Sequence, residues 1–248
     1  MPKPYAVWID FDGTLVEPNV AMVLVEEFGA NGVEVAREVD EQLHAGKITL
    51  RQAWEREVAI LPPDRLEEMA RYAVDHSPLR AGARELIALL DRHRVSATVI
   101  SGGVDFYIEP ILRREGIRWP YLSDRLIRTP GGTLGVEHPY GHPTCRLCGI
   151  CKAQAVRGPD AAQSTSVFIG DGSTDRYAAE VADVVFARRR LLNYCRERGV
   201  PHLPFENLHP VREWFALRLE SATPADEARH ALGLADSACP ISHSLAGA

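Results

Sequence analysis

The chain has 248 residues, enough for one large domain or for a core domain with a smaller insertion. Its hydrophobic fraction of 46% and charged fraction of 25% favour neither disorder nor a membrane class, and its net charge of -6 argues against a surface that binds nucleic acid. The first residues form neither a secretory leader nor a membrane span, so we expect a cytoplasmic protein that contacts no membrane.

The first predicted element is a buried strand that ends on two carboxylates. An apolar run, Val7 to Ile9, is followed at once by Asp10, Asp12 and Gly13. Open α/β sheets bind ligands at the carboxyl ends of their strands. We therefore expect both aspartates at the ligand-binding edge of a sheet.

The next segment, from residue 19 to about residue 76, is predicted to be an insertion made of helices. Its apolar residues recur three and four positions apart, which is the period of an amphipathic helix. Thr49 is predicted to cap a helix from Leu50 to Leu61, and Asp64 with Glu67 is predicted to start the following helix.

A second strand is predicted over Val95–Ile100, after an amphipathic helix over Ala83–His93. The strand stops on a polar turn that contains Ser101, Gly102 and Gly103, and a further helix follows. A strand, a glycine-rich turn and a helix in this order predict a unit that faces a ligand.

Between the second and third strands the sequence predicts a hairpin and then a polar loop. Leu126–Arg128 and Thr133–Val136 form the hairpin, which could cover the site as a flap. The loop ends at Lys152, which opens a short helix.

A cluster of three cysteines and one histidine lies in this polar loop, just before Lys152. These residues could bind a structural Zn²⁺ that closes the loop, or the thiols could pack as small apolar groups or pair under oxidation. The candidate zinc ligands are His142, Cys145, Cys148 and Cys151.

The third predicted strand, Val167–Ile169, runs into an acidic turn that contains Asp171 and Asp175. A helix, a strand over Val184–Ala187 and a final ordered unit from Leu191 to Leu219 are predicted to follow.

Four aspartates therefore follow two of the three predicted strands and a serine follows the other, with a lysine between the second and third strands. Clustered carboxylates repel one another unless a cation shares them, and oxygen ligands without histidine favour Mg²⁺. A magnesium ion, a lysine and a hydroxyl group at a strand end indicate a phosphoryl site. One aspartate can then act as the nucleophile, and the other, two residues on, as general acid and base.

The motifs DFDGT, VISGG and GDGSTD, with Lys152 before the last, resemble those of the haloacid dehalogenase superfamily of phosphatases. The resemblance implies that Asp10 is the nucleophile and Asp12 the general acid and base. It implies phosphate contacts from Ser101, Gly102 and Lys152. The magnesium ligands that it implies are Asp10, Asp12, Asp171 and Asp175, with Asp12 binding through its backbone carbonyl.

The helical segment between the first and second motifs is similar to the cap of the phosphoserine phosphatase-like branch, subfamily IB. The runs at 145–152 and 186–205 look like the methionine-salvage phosphatases, which act on 2-hydroxy-3-keto-5-methylthiopentenyl-1-phosphate. Phosphoserine phosphatases carry a glutamate where Asn19 stands here, with Glu17 nearby. The alternatives are a phosphatase of phosphoserine, phosphocholine or phosphoethanolamine, and, in a different class, a noncatalytic metal-binding module.

The resemblance implies an α/β fold, a doubly wound parallel-sheet (Rossmann-like) core with a small helical cap inserted after the first strand. The predicted organisation is a core of residues 1–16 and 79–220, a cap of residues 17–78, and a loose tail of residues 221–248. The expected partner is a small phosphorylated metabolite.

Five arginines are candidate contacts for an anionic substrate. The run Arg188, Arg189 and Arg190 is predicted to lie on a solvated face, as is usual for a run of like charge. Arg51 and Arg56, in the helical insertion, are the better candidates for contacting a substrate.

Overall fold

The computed structural model describes residues 3–158 and 161–220, and its seven strands form one sheet. In chain order the strands are β1 Tyr5–Ile9, β2 Ser96–Val104, β3 Tyr121–Arg128, β4 Leu134–Glu137, β5 Thr165–Gly170, β6 Val184–Ala187 and β7 Leu203–Pro204. The order across the sheet is β4-β3-β2-β1-β5-β6-β7. Neighbouring strands are parallel except β3 and β4, which form the predicted antiparallel hairpin.

Ten α-helices accompany this sheet within the described ranges. They are α1 Val20–Phe28, α2 Gly32–His44, α3 Leu50–Ala59, α4 Leu66–His76, α5 Ala83–Arg92, α6 Asp105–Arg114, α7 Lys152–Val156, α8 Arg176–Ala179, α9 Arg189–Arg198 and α10 His209–Leu219. None of the described helices is long and apolar enough to cross a bilayer.

Both faces of the sheet are buried, as expected of a parallel sheet between helices. Along β1, Val7 and Ile9 belong to one apolar cluster, whereas Trp8 between them packs against a second cluster on the opposite face. In β5, Ile169 and Phe168 are divided between the same two clusters. The doubly wound α/β core is therefore confirmed.

The helical segment leaves and rejoins the core at adjacent points. Val16 forms an antiparallel bridge with Leu79, and the backbone N–H of Glu17 donates to the Pro78 carbonyl at 2.9 Å. Every secondary-structure element between these two points is a helix. The division into core and cap domains at residues 17 and 78 stays a prediction, and the predicted tail, 221–248, lies outside the described residues.

One helix start in the insertion follows the prediction and one does not. Thr49 caps α3, because its hydroxyl accepts from the Gln52 N–H at 3.2 Å while the Gln52 side chain accepts from the Thr49 N–H. The helix predicted to start at Asp64 begins two residues later, at Leu66, and Asp64 does not cap it. Pro63 opens a 3₁₀ turn over Pro63–Arg65 that contains Asp64, and α4 begins after it without a side-chain cap.

The second strand is longer than predicted. β2 continues through Ser101, Gly102 and Gly103 to Val104, and its register against β3 shifts after Ile100. Glycine has no Cβ, so the chain can stay extended where side chains crowd it. An irregularity of this kind re-aims side chains, and here it lies at Ser101.

Candidate active site

The side chains of Asp10, Lys152 and Asp175 form a buried ion-pair network at the carboxyl end of the central strands. The Lys152 ammonium donates to Asp10 Oδ1 at 2.5 Å and to Asp175 Oδ1 at 2.7 Å. Asp10 follows β1, and Lys152 is the first residue of α7. The two carboxylates raise the pKa of Lys152, although its burial acts in the opposite direction, so the lysine is cationic.

A third carboxylate, Asp171, completes a cluster that can hold a cation. Oxygen atoms of Asp10, Asp171 and Asp175 all lie within 4.8 Å of one another, and all three residues are buried. Asp175 also accepts from the backbone N–H groups of Asp171 and Gly172, at 2.9 and 2.8 Å. Only oxygen donors are present, which suits a hard cation such as Mg²⁺.

Burial and mutual repulsion disfavour the ionised form of the carboxyl groups in this cluster. Burial, followed by the neighbouring charge of Asp175, raises the pKa of Asp10 well above its ordinary value. The same two causes raise the pKa of Asp171 to about 6, although Arg188 lowers it in part. The pKa values of Asp10 and Asp171 stay raised despite the Lys152 ammonium and the Arg189 guanidinium 3.8 Å from Asp171, so the donor set fits a divalent cation.

Asp12 lies in a different environment from Asp10, although only one residue separates them. Its Oδ1 accepts from the backbone N–H groups of Val20 and Ala21, at 2.9 and 3.4 Å, where α1 begins. Burial raises the pKa of Asp12, and the hydrogen bonds to its carboxylate lower that pKa in part. Two carboxylates in such different surroundings are suited to different chemical roles.

The other oxygen of Asp12 contacts side chains from β2 and α6. Oδ2 accepts from the Tyr107 hydroxyl at 2.7 Å and from the Ser101 hydroxyl at 3.2 Å. The Ser101 oxygen also accepts from the Gly103 N–H at 2.9 Å. Gly103 is required here, because a Cβ at this position would lie 1.8 Å from the Tyr107 hydroxyl oxygen. The sequence predicted the position of Ser101 but not that of Tyr107.

The turn after Asp12 is held by two buried arginines. Gly13, at φ +76°, directs its carbonyl to the guanidinium groups of Arg80 and Arg188, at 2.6 and 2.7 Å. Arg80 also donates to the Thr14 carbonyl at 2.8 Å. The prediction of a solvated arginine run is therefore wrong for Arg188, which is 5% exposed. The Thr14 hydroxyl in turn donates to Asp171 at 3.2 Å.

A buried pair supports the loop that leads to Lys152. His138 Nδ1 lies 2.9 Å from Asp124 Oδ2, and both side chains are almost fully buried. The backbone of Gly149 passes so close that a Cβ there would lie 2.3 Å from Asp124 Oδ2. On its other side, His138 Nε2 lies 3.2 Å from Glu55 of α3, so this pair links the helical insertion to the core.

The structure gives no support to a zinc site in this loop. Within the described ranges, the aspartate cluster is the only group of three or more histidine, cysteine or acidic ligand atoms close enough to share an ion. Burial raises the pKa of Cys148 to about 11, which favours the thiol over the thiolate that binds metal. The Nδ1 of His142 accepts from the backbone N–H of Cys145 at 3.1 Å. The described thiols are free: Cys145, Cys148, Cys151 and Cys195.

A cavity of about 620 Å³ lies between the aspartates and the helical insertion. Asp10, Asp12 and Ser101 line its floor, with Gly102 beside them, and residues of α1, α2 and α3 line its other side. Asn19 is at its edge, where its side chain accepts from the Met22 N–H at 3.0 Å and caps α1. The cavity joins the acidic cluster to a space that can hold a small organic group.

The arginines that line this cavity differ from those predicted. Arg51 and Arg56 are not among the lining residues: Arg51 donates to Glu55 at 2.9 Å, and Arg56 donates to Gln42. Arg37, Arg189 and Arg190 line it instead.

Comparisons with known proteins agree on the family and the fold. A model of the haloacid dehalogenase-like hydrolases matches residues 7–180. A Bacillus cereus protein named 2-hydroxy-3-keto-5-methylthiopentenyl-1-phosphate phosphatase is 29% identical over 210 residues, covering 83% of this chain and 93% of that protein. A Bacillus anthracis protein of the same name has the same identity and coverage.

Two solved structures have a similar fold. One, a phospho-aspartyl intermediate analogue of phosphoserine phosphatase, has a TM-score of 0.64 at 20% identity and covers 86% of this chain and 99% of its own. The other, a hydrolase of the same family from Salmonella enterica serovar Typhi, has a TM-score of 0.65 at 16% identity and covers 90% of this chain and 73% of its own.

Proposed function

Because this chain belongs to the haloacid dehalogenase-like hydrolase family, we propose that it is a phosphatase that cleaves a small phosphate monoester through an aspartyl phosphate on Asp10. The observation that carries the proposal is the contrast between two aspartates at one strand end. Asp10 lies against the Lys152 ammonium in the acidic cluster, whereas Asp12 is held by neutral donors. A nucleophile and a proton donor need such separate environments.

Asp10, Asp171 and Asp175 would hold Mg²⁺, together with the backbone carbonyl of Asp12, and the ion would neutralise charge on the phosphoryl oxygens. Lys152, which donates to Asp10 and Asp175, would donate to a phosphoryl oxygen as well.

In the first half of the reaction, a carboxylate oxygen of Asp10 attacks phosphorus and the bond from phosphorus to the ester oxygen breaks. Asp12, whose pKa is raised by burial, gives its proton to the leaving alkoxide and becomes a carboxylate. The products of this half are the free alcohol and the aspartyl phosphate.

In the second half, the Asp12 carboxylate takes a proton from water, whose oxygen attacks phosphorus. The bond between phosphorus and the Asp10 oxygen breaks, which releases inorganic phosphate and restores the Asp10 carboxylate. Donors from Tyr107 and Ser101 stabilise the ionised form of Asp12 in this half. The net reaction consumes one ester and one water and yields one alcohol and one phosphate.

We propose 2-hydroxy-3-keto-5-methylthiopentenyl-1-phosphate, in methionine salvage, as the substrate. The support is the name of the relatives from Bacillus, each matched over nearly its whole length, and a cavity that is mostly lined by apolar atoms. A thioether chain is apolar and would bury its surface against such walls.

The cavity has fewer groups that could bind the amine of phosphoserine or phosphocholine. Asn19 stands where the resemblance implies an amine-binding glutamate, and its carboxamide caps α1. Glu17 is not a lining residue of the cavity, because its carboxylate pairs with Arg80. A noncatalytic metal-binding role is not favoured either, since Asp10, Asp12 and Ser101 line one cavity and Lys152 donates to Asp10.

The test is a panel of phosphate esters ranked by kcat/KM in the presence of Mg²⁺, with an aryl phosphate as a generic substrate. We expect the methylthiopentenyl ester to rank above O-phosphoserine and phosphocholine, and Asp10→Asn to abolish turnover of all of them. Undiminished turnover by Asp10→Asn contradicts the mechanism. Equal rates across the panel contradict the substrate.

A further inference from the structure

Helix α3 presents one continuous stripe to the cavity. Leu50, Ala53, Trp54 and Glu57 are spaced three and four residues apart, so they share one face of the helix, and all four line the cavity. The first three members of the stripe are largely apolar. The fourth ends in a carboxyl group.

Glu57 is buried without a partner. It is 8% exposed, and its carboxyl group makes no hydrogen bond or ion pair with any residue that the structure describes. Buried carboxyl groups in proteins are almost always hydrogen-bonded, because an unpaired one is costly. A buried, unpaired carboxyl group at a substrate cavity therefore indicates a partner on the ligand.

The cations around the cavity are engaged elsewhere. Arg37 pairs with Glu41 at 2.5 Å and Arg190 with Asp40 at 3.3 Å, while Arg189 lies 3.8 Å from Asp171. These guanidinium groups are therefore committed to carboxylates other than that of Glu57.

We infer that Glu57 determines specificity for the leaving group by hydrogen bonding to an uncharged hydroxyl or keto oxygen on the carbon chain of the substrate. The inference rests on the proposed function, since it concerns the alcohol half of the same ester. The substrate class that it names is a phosphate ester of an oxygenated, otherwise apolar chain.

An uncharged oxygen suits this carboxyl group better than an ammonium group does. Burial, and then the negative charge of Asp40, raise the pKa of Glu57 to about 7, so the neutral acid is well populated. A neutral carboxyl group donates to a keto oxygen and accepts from a hydroxyl group. An ammonium group would instead require the carboxylate, which the same two causes disfavour.

The experiment compares two esters in each of several variants. One ester is 2-hydroxy-3-keto-5-methylthiopentenyl-1-phosphate, and the other is 5-methylthiopentyl phosphate, which lacks both chain oxygens. The readout is the ratio of the two kcat/KM values. This ratio does not depend on the fraction of a preparation that is folded, so a partly unfolded variant still gives an interpretable result.

We expect Glu57→Leu to lower the preference for the oxygenated ester by about tenfold or more, since a site built for a hydrogen bond then lacks it. Glu57→Gln keeps a donor and an acceptor, and its preference should stay within about threefold of the original. The control is Glu67→Leu, which removes an exposed carboxylate from α4 and should leave the ratio as it was.

An unchanged ratio in Glu57→Leu, or no preference in the original protein, overturns the inference while leaving the phosphatase intact. O-phosphoserine hydrolysis that is strong in the original protein and lost equally in Glu57→Leu and Glu57→Gln shows an ammonium ligand, and also overturns it. If neither ester is hydrolysed, or if Asp10→Asn hydrolyses both, the proposed function itself fails and the inference fails with it.

Discussion

The hydroxyl group of Tyr107 donates a 2.7 Å hydrogen bond to Asp12 Oδ2, across 95 positions of the sequence. Tyr107 is completely buried in α6, so it fixes the carboxylate from a rigid element. With Ser101 on the same oxygen and the backbone of α1 on the other, this bond fixes the orientation of the Asp12 carboxyl group.

Replacing Tyr107 with phenylalanine should therefore lower kcat. The ring still fills its space, but Asp12 loses one donor, which is typically worth about 1 to 1.5 kcal/mol, or about tenfold in rate. Steady-state kinetics with the aryl phosphate measure the effect. Tyr121→Phe is the matched control, because its hydroxyl donates to the exposed Glu109 at 3.3 Å rather than to Asp12, and it should retain full kcat. Equal losses in the two variants count against the role of Tyr107.

Substituting alanine for each of the two adjacent glycines in β2 should lower the unfolding free energy by different amounts. A Cβ on Gly103 would lie 1.8 Å from the Tyr107 hydroxyl oxygen and 2.7 Å from Asp12 Oδ2, whereas a Cβ on Gly102 would meet Thr174 at an ordinary 3.6 Å. We expect Gly103→Ala to cost about 1 to 3 kcal/mol of unfolding free energy, and Gly102→Ala less than about 1 kcal/mol. Urea unfolding compares them, and the reverse order is incompatible with this packing.

The two arginines at the Gly13 turn should differ in their contribution to stability. Arg80 donates to the carbonyls of Gly13, Thr14 and Glu206, whereas Arg188 donates only to that of Gly13 among the described carbonyls. Arg80→Met should therefore cost about 3 kcal/mol, and Arg188→Met about 1 to 2 kcal/mol, since Arg80 still donates to the shared carbonyl. Chemical denaturation gives both values. An Arg188→Met loss at least as large as that of Arg80→Met contradicts this assignment.

The buried carboxyl group of Glu57 should make stability depend on pH. Its pKa is raised from 4.5 to about 7 by burial and by Asp40, so the folded chain binds this proton more tightly than the unfolded chain does. The contribution to stability is fully present below about pH 4.5 and is lost as the pH rises to about 7.

Glu57→Gln does not titrate, so its unfolding free energy relative to the original chain should rise by about 2 to 3 kcal/mol between about pH 4.5 and pH 8. Thermal or urea unfolding at several pH values measures the difference. Glu67→Gln, which changes an exposed glutamate of α4, should show little such trend. A flat difference for Glu57→Gln means that its carboxyl group is not buried as described.

The sequence located the aspartates and Ser101 because a local rule applies to them, whereas Lys152 follows no strand and is predicted from the order of the motifs. In a parallel sheet the polar residues that follow apolar strands meet at one edge, whatever the length of chain between them. Tyr107, Arg80 and His138 obey no such rule. Each acts through a contact with a distant part of the chain, and a lone tyrosine, arginine or histidine has no distinctive spacing.

The arginine run shows why a run of like charge is a poor guide to exposure. Arg188 is buried against the Gly13 carbonyl, but Arg189 and Arg190 are largely exposed in their side chains. The chain turns at Arg189, whose φ is +46°, so neighbouring arginines point into different surroundings. Three like charges in sequence therefore do not share one face.

The most direct test of the central claim is to trap the phosphoryl group on the protein. Asp12→Asn leaves Asp10 in place but removes the base for the second half of the reaction, and an aryl alcohol leaves without needing a proton. With Mg²⁺ and an aryl phosphate, this variant should release a burst of alcohol equal to the enzyme concentration. Mass spectrometry of the digested protein should then find one phosphoryl group per chain, in the peptide that contains Asp10 and on Asp10 itself. Alcohol release without a phosphorylated protein, or a phosphoryl group on another residue, would contradict the mechanism.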